Sequence, residues 1–204
     1  MSDSASSFWL KRIQSLTGIF PIGIFLLQHL FGNSYAFVSP EKFNEHSEFL
    51  TSLPLVVLIE LSTIYFPIIL HASLGLMLIY RGQNNFYNYS KFRNWMFFFQ
   101  RLTGLLALVF ICVHSYTTRI SSFLAGHDFV YDDMALKLSQ PAWFWFYFVG
   151  VIAVVYHFSN GIWSFLITWG LTVGPKVQRM SSAITMGLFV FMSIWGVSIL
   201  LAFR

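Results

Sequence analysis

Five long apolar segments constrain what this chain can fold into. Each has at least about 20 residues, the length that an α-helix needs to cross the hydrocarbon core of a bilayer. Backbone groups in lipid must bond within their own segment, so each segment is expected to be a helix. Only 10% of the residues are charged, against about 25% in a soluble domain. The sequence therefore predicts an all-α membrane protein, a single domain over residues 1–204, with five transmembrane helices at about 8–37, 54–80, 92–120, 142–173 and 180–203.

Basic residues are distributed unequally between the two ends of these segments, and such a bias sets the orientation of a membrane protein. One side carries eight of them, namely Lys11, Arg12, Arg81, Lys91, Arg93, Arg101, Lys176 and Arg179. The other side carries four, namely Lys42, Arg119, Lys137 and Arg204. We therefore expect the N-terminus in the cytoplasm and the C-terminus outside. The net charge of +4 reflects this sidedness in lipid and does not indicate a nucleic-acid partner.

Four histidines lie one in each of the first four apolar segments, where an ionisable group is costly and indicates function. They are His29, His71, His114 and His157. Their surroundings repeat: His-x-Ser-x-Gly occurs at 71–75 and 157–161. Leu-Thr-Gly at 16–18 precedes a histidine by eleven residues, and Leu-Thr-Gly at 102–104 precedes one by ten. The step from the first to the third histidine is 85 residues, and that from the second to the fourth is 86. This two-fold pattern predicts paired sites.

Depth along the helices, at about 1.5 Å per residue, sorts the four histidines into two levels. His29 and His114 form a pair near the outer surface, which we call the outer pair. His71 and His157 form a deeper pair, called the inner pair. Two neutral imidazoles from different helices at one level are what a six-coordinate haem b needs. A zinc site fits less well, because zinc takes about four ligands at one point.

Other residue types limit the cofactors that this chain can hold. Its single cysteine, Cys112, cannot ligate an iron–sulfur cluster, which takes four ligands. Covalent haem attachment would need a Cys-x-x-Cys-His motif, which the sequence lacks. His46 and His127 fall between apolar segments and are interpreted as ordinary solvated loop histidines. A proton-relay transporter and another type of membrane di-haem cytochrome remain alternative functions.

Three stretches resemble the cytochrome b subunit of succinate dehydrogenase and related fumarate reductases. The stretches are FPIG with QHL at 20–30, NWMF with QRLTG at 94–104, and HFSNGIWSF at 157–165. The closest type is the single-chain, five-helix, two-haem anchor of Bacillus-like enzymes in the bacterial cytoplasmic membrane. The resemblance implies haem ligation by the four histidines, with the first four helices forming the haem-binding bundle. It also implies docking of an iron–sulfur subunit, which carries a flavoprotein subunit, and reaction with a quinone, with menaquinone expected over ubiquinone.

Further residues are expected beside these cofactors. Glycines allow helices to approach a flat macrocycle closely, and the repeated motifs place four of them near the ligands: Gly18, Gly75, Gly104 and Gly161. Haem propionates need donors near a helix end. The resemblance puts Gln14 and Ser15 close to one propionate, and depth adds Gln100, Arg101, Lys176 and Arg179 as candidate donors.

Glu60 is the one carboxylate within an apolar segment, at the level of the outer pair. A carboxylate at this depth must be neutral, paired or in a wet cavity. Reduction of a quinone takes up two protons with two electrons, so an acid–base group beside the outer pair suits that chemistry. We therefore interpret Glu60 as a candidate for proton transfer to quinone, with a bond to a neighbouring helix or to a histidine N–H as the alternative.

Overall fold

The computed structural model describes residues 2–82 and 91–204, and helices are the regular elements in those ranges. The α-helices are α1 (Ser2–Ile19), α2 (Ile22–Asn33), α3 (Pro40–Thr51), α4 (Val56–Glu60), α5 (Phe66–Arg81), α6 (Phe92–Ser115), α7 (Ser121–Ala125), α8 (Tyr131–Ser139), α9 (Pro141–Thr168) and α10 (Pro175–Ala202). A 3₁₀ turn follows α2, and π-helical turns join α4 to α5 and α6 to α7, at Ser34–Phe37, Leu61–Tyr65 and Tyr116–Ile120.

Five helical stretches within the described residues are long and apolar enough to cross a membrane, which confirms the predicted number. Spans 1 to 5 are Phe8–Phe37, Val56–Arg81, Phe92–Ala125, Pro141–Thr168 and Pro175–Ala202. The third runs five residues beyond its predicted end. It stops where Gly126 adopts a left-handed conformation with φ of 72°, the usual helix-ending role of glycine.

The predicted boundary between spans 4 and 5 was wrong by five residues on each side. Gly170 and Gly174 have φ of 70° and 84°, values that glycine adopts without strain, and they turn the chain between the two helices. Pro175 then begins α10, a position that suits proline because its missing N–H has no partner there anyway. Lys176 and Arg179 therefore lie in the first turns of α10.

The central helix of the bundle is α9. It packs against α6, α10 and α1, and α1 packs on its other side against α5. Three side chains of α9 are almost wholly buried, namely Tyr147, Val155 and Ser159, at 2%, 1% and 0% exposure. Spans 1 to 4 thus surround a common interior, and span 5 packs mainly on α9 and also contacts α2.

The connections after spans 1 and 3 fold back onto the bundle as α3 and α8, which pack together at one end. We call this the outer end. Ser39 caps α3 by accepting a hydrogen bond from the Lys42 backbone N–H at 3.2 Å. His46 lies on α3 and stacks on Tyr35 with ring centroids 4.5 Å apart, so its interpretation as a solvated loop histidine was wrong. His127 is exposed, as expected.

Candidate functional site

A cavity of about 1110 Å³ runs through the interior of the bundle, and residues from each of spans 1 to 4 line it. Ligand pockets usually measure roughly 300–1,000 Å³, so this one exceeds the size needed for a single small molecule. All four span histidines line it, and so does Glu60. The four histidines and Glu60 therefore share one interior space.

The inner pair faces across this cavity. The ring centroids of His71 and His157 are 6.1 Å apart and the ring planes are at 89°. Two imidazoles on opposite sides of one metal ion have centroids roughly 6 Å apart, because each metal–nitrogen bond is about 2 Å. Among the described residues no group of three His, Cys, Asp or Glu side chains converges to hold a metal ion. The geometry would therefore suit a metal held by two imidazoles better than a zinc site.

Backbone carbonyls orient both inner rings. His71 Nδ1 lies 2.9 Å from the carbonyl oxygen of Gln14, and His157 Nδ1 lies 3.0 Å from that of Gln100. A carbonyl can only accept, so Nδ1 donates its proton in both rings and Nε2 keeps its lone pair. Such a bond holds a ligating ring in place and raises its basicity. Both rings are thus prepared to bind a metal through Nε2.

Two glycines make room for the inner rings. A Cβ on Gly18 would lie 2.7 Å from His71 Cε1, and one on Gly104 would lie 2.9 Å from His157 Cε1. Any larger residue would displace these rings. The repeated motif had linked these glycines by spacing to the outer pair, but their neighbours in space are the inner histidines.

The other two motif glycines face the amides beside the inner pair. A Cβ on Gly75 would lie 3.9 Å from Gln14 Nε2, and one on Gly161 would lie 3.4 Å from Gln100 Nε2. Both glycines also line the cavity. The inner site is therefore built twice from the same parts, once from α1 with α5 and once from α6 with α9.

The outer pair has a different, mainly aromatic environment. The ring centroids of His29 and His114 are 5.7 Å apart, with the planes at 78°. Phe110 stacks on His114 with centroids 5.4 Å apart, and Tyr147 Oη lies 3.3 Å from His114 Nδ1. This distance between rings also fits a shared metal ion. The tyrosine hydroxyl occupies the place that a backbone carbonyl takes at the inner level.

Glu60 is paired with Arg119 on span 3, so the predicted alternative of a bond to a neighbouring helix is present, with a partner that the sequence does not identify. Arg119 Nε donates to Glu60 Oε1 at 2.8 Å, and Arg119 Nη2 donates to Oε2 at 3.1 Å. Such a two-pronged pair satisfies both charges in an apolar setting. Glu60 immediately precedes the π turn of span 2, and Arg119 lies within that of span 3. Both residues line the outer part of the cavity, where π-helical turns often mark functional sites.

The comparisons with known proteins agree with this architecture. The model of the succinate dehydrogenase/fumarate reductase transmembrane subunit family matches residues 83–196, more than half of the chain. The chain belongs to this family. It is also 43% identical over 196 residues to the succinate dehydrogenase cytochrome b558 subunit of Bacillus subtilis, a match covering 96% of each protein. The resemblance to the cytochrome b subunit of succinate dehydrogenase is thereby confirmed, and so is the location in the bacterial cytoplasmic membrane.

The predicted propionate donors of this family member divide into two groups. Four line the cavity, namely Gln14, Ser15, Gln100 and Arg101. Lys176 and Arg179 are not among the described residues that line it. The reason is that α10 reaches the cavity through its outer end, near Gly196 and Ile199, while the two basic residues lie at the opposite end of the helix.

Two further basic residues line the cavity near the end of the bundle opposite α3 and α8, and the sequence analysis had assigned them only to the charged rim. They are Lys11 and Arg81. A signal was present for Lys11: it precedes Gln14 by three residues and Gly18 by seven, so the three share one helix face. Ser15 Oγ already donates its proton to the Arg12 carbonyl at 3.0 Å and accepts from Trp169 Nε1 at 3.1 Å, which leaves Lys11 and Arg81 as stronger candidates to meet an acid.

Proposed function

We propose that the chain is the two-haem membrane anchor of a succinate:quinone oxidoreductase. One haem b lies between His71 and His157, and a second lies between His29 and His114. The observation that carries the proposal is the occurrence of two facing histidine pairs, with centroids 6.1 and 5.7 Å apart, in one cavity. The relative's description as a cytochrome b558 subunit supports it.

Bound haem b supplies a carrier that takes up and releases one electron at a time. The protein contributes the ligands, their orientation and the exclusion of water. The carbonyls of Gln14 and Gln100 hold the inner rings through Nδ1, so that Nε2 faces the cavity. Gly18 and Gly104 leave these rings their space. Lys11, Arg81 and Arg101 supply positive charge for the propionates at the end opposite α3 and α8.

The same basic end faces the cytoplasm in our proposal, so the N-terminus is cytoplasmic and the C-terminus is outside. There the chain binds the iron–sulfur subunit, which carries the flavoprotein subunit that reacts with succinate or fumarate. Arg81, Lys91, Arg93 and Lys176 are the candidate contact residues of this rim. Their charge supports the proposal because basic residues are enriched on the cytoplasmic side.

Quinone, expected to be menaquinone, reacts at the outer end of the cavity in this proposal. Reduction adds two electrons and two protons to give the quinol, and oxidation of the quinol releases them. Glu60 is the proton-transfer group, because it lines the cavity there. Arg119 fixes the orientation of its carboxylate through two bonds and provides the charge that keeps an ionised carboxylate tolerable in the membrane.

The test uses Glu60→Gln in the assembled complex. We expect quinone-linked turnover to fall by about 10²–10⁴-fold, the usual contribution of a general acid–base group, while turnover with a dye at the succinate-oxidising head and both haem signals persist. Glu45→Gln is the matched control, because Glu45 lies on α3 in an exposed pair with Lys42. Undiminished quinone turnover in Glu60→Gln would refute the role of Glu60. Assays in both directions with both quinones identify the physiological reaction.

The haem assignment has a separate test. Purified complex should carry cytochrome b absorbance from two haems per chain, and succinate should reduce it. A colourless protein would reject the proposed function and restore the proton-relay transporter as an alternative.

A further inference from the structure

Gln100 on α6 and His157 on α9 are joined by two reciprocal hydrogen bonds. His157 Nδ1 donates to the Gln100 carbonyl at 3.0 Å, and Gln100 Nε2 donates to the His157 carbonyl, also at 3.0 Å. The side-chain amide and the backbone carbonyl of one glutamine thus both serve one histidine. That carbonyl belongs to the backbone of α6, so its distance from the His157 ring depends on how α6 and α9 are held together.

Asn160 holds the Gln100 side chain. Its Nδ2 donates to Gln100 Oε1 at 2.7 Å and to the Met96 carbonyl at 3.2 Å, which uses both amide hydrogens. Asn160 is 4% exposed, so no water competes for these bonds. One α9 side chain therefore ties two successive turns of α6 to the helix that carries His157.

The other half of the repeat lacks this arrangement. Gln14 precedes His71 by 57 residues, as Gln100 precedes His157, and in both halves the histidine Nδ1 donates to the backbone carbonyl of that glutamine. In the first half Thr17 Oγ1 also lies 3.2 Å from His71 Nδ1. However, Leu74 occupies the position that corresponds to Asn160, three residues after the histidine. Leucine offers no donor, and the Gln14 amide nitrogen instead lies 3.4 Å from His71 Nε2.

We propose that Asn160 is a positioning residue for His157, and that it preserves the bond from His157 Nδ1 to the Gln100 carbonyl on which the orientation and basicity of this ring depend. This inference rests on the proposed function, since it assigns a role in haem ligation. Asn160 is not among the described residues that line the cavity. It acts by fixing Gln100, whose carbonyl accepts the Nδ1 proton of His157, and a stronger bond at Nδ1 makes Nε2 a stronger donor to the metal.

The test substitutes Asn160 by leucine, the residue found at the same place in the first half of the repeat. A less basic ligand stabilises ferric iron less, so the reduction potential of the inner haem should rise. We expect its ferric-to-ferrous ratio at a fixed potential to fall at least about threefold, a shift of about 28 mV at 59 mV per tenfold. The low-spin ferric signal of the inner haem should shift in the same variant, while the outer haem keeps both properties.

A double-mutant cycle separates positioning from general disturbance. If Asn160 acts through Gln100, then Gln100→Leu and Asn160→Leu should give shifts that do not add when the two are combined, as expected of residues in one network. Ser159→Ala is the matched control, because Ser159 is its wholly buried neighbour on α9 and should leave the potential unchanged. If the Asn160→Leu complex does not assemble, Asn160→Ser is used instead. It removes the same amide donors, introduces a smaller side chain and is judged by the same criteria.

Several results would overturn the inference. An unchanged inner haem in Asn160→Leu would do so, as would equal shifts of both haems or additive effects in the cycle. If Ser159→Ala shifted the reduction potential of the inner haem as much as Asn160→Leu does, Asn160 would act only through packing. These failures leave the proposed function standing, whereas absence of haem from the unaltered complex would refute the proposed function itself.

Discussion

Gly104→Ala should weaken binding of the inner haem and leave the outer one bound. The added Cβ would lie 2.9 Å from His157 Cε1 and 3.2 Å from Nδ1, while carbon atoms in contact prefer about 3.5–4.0 Å. The ring must therefore move by roughly 0.5–1 Å. It is held on one side by its bond of 3.0 Å to the Gln100 carbonyl, so relief of the clash weakens that bond and turns Nε2 away from the metal.

The size of the effect follows from the cost of overpacking. Extra carbon atoms in a packed interior cost about 1–3 kcal/mol, and about 1.4 kcal/mol corresponds to a factor of ten. Haem affinity at the inner site should thus fall about 5- to 140-fold. In purified complex, the ratio of haem to chain should decrease from two towards one, and redox titration should show that the surviving component is the outer haem.

Gly187→Ala is the control for this prediction. Gly187 lies on α10, and a Cβ there would meet no atom within 4 Å, so haem content should stay at two per chain. Full haem content and an unaltered inner spectrum in Gly104→Ala would refute the reasoning, because the glycine would then not be needed for the His157 ring.

Three further predictions concern other parts of the chain. Tyr147→Phe removes the hydroxyl 3.3 Å from His114 Nδ1, and redox titration should show a shift of the outer haem alone. Replacing Lys91 and Arg93 together by glutamate should reduce co-purification of the iron–sulfur subunit; unimpaired assembly would mean that these charges serve only membrane orientation. Ser39→Ala removes the cap of α3. In thermal unfolding the free energy of unfolding should fall by about 1 kcal/mol, with both haem signals unchanged.

The five spans could be predicted because lipid restricts the choice of structure so strongly. Apolar length and the need to satisfy backbone groups decide that each segment is helical. The ends of the spans were less predictable. The turn between spans 4 and 5 depends on Gly170 and Gly174. The residues around these glycines are apolar, so hydrophobicity alone does not separate the turn from the end of span 4.

The pairing of the histidines was visible in the sequence because helix rise converts position into depth. Which residues contact each other on different helices could not be predicted in this way. Gly18 precedes His29 by eleven residues, which is about 16 Å along a helix, and its neighbour in space is His71. The contact between Glu60 and Arg119 joins two spans whose relative rotation no spacing reveals. His46 was misassigned because a short α3 folds its ring back against Tyr35.

The central claim is that two haems are held by two defined histidine pairs, and redox titration of single histidine variants tests it most directly. The unaltered complex should contain two haems b per chain with two resolved potentials. Substitution of His71 or His157 by alanine should abolish one component, and substitution of His29 or His114 the other. A single haem in the unaltered complex, or loss of the same component in the His29 and His71 variants, would contradict the account.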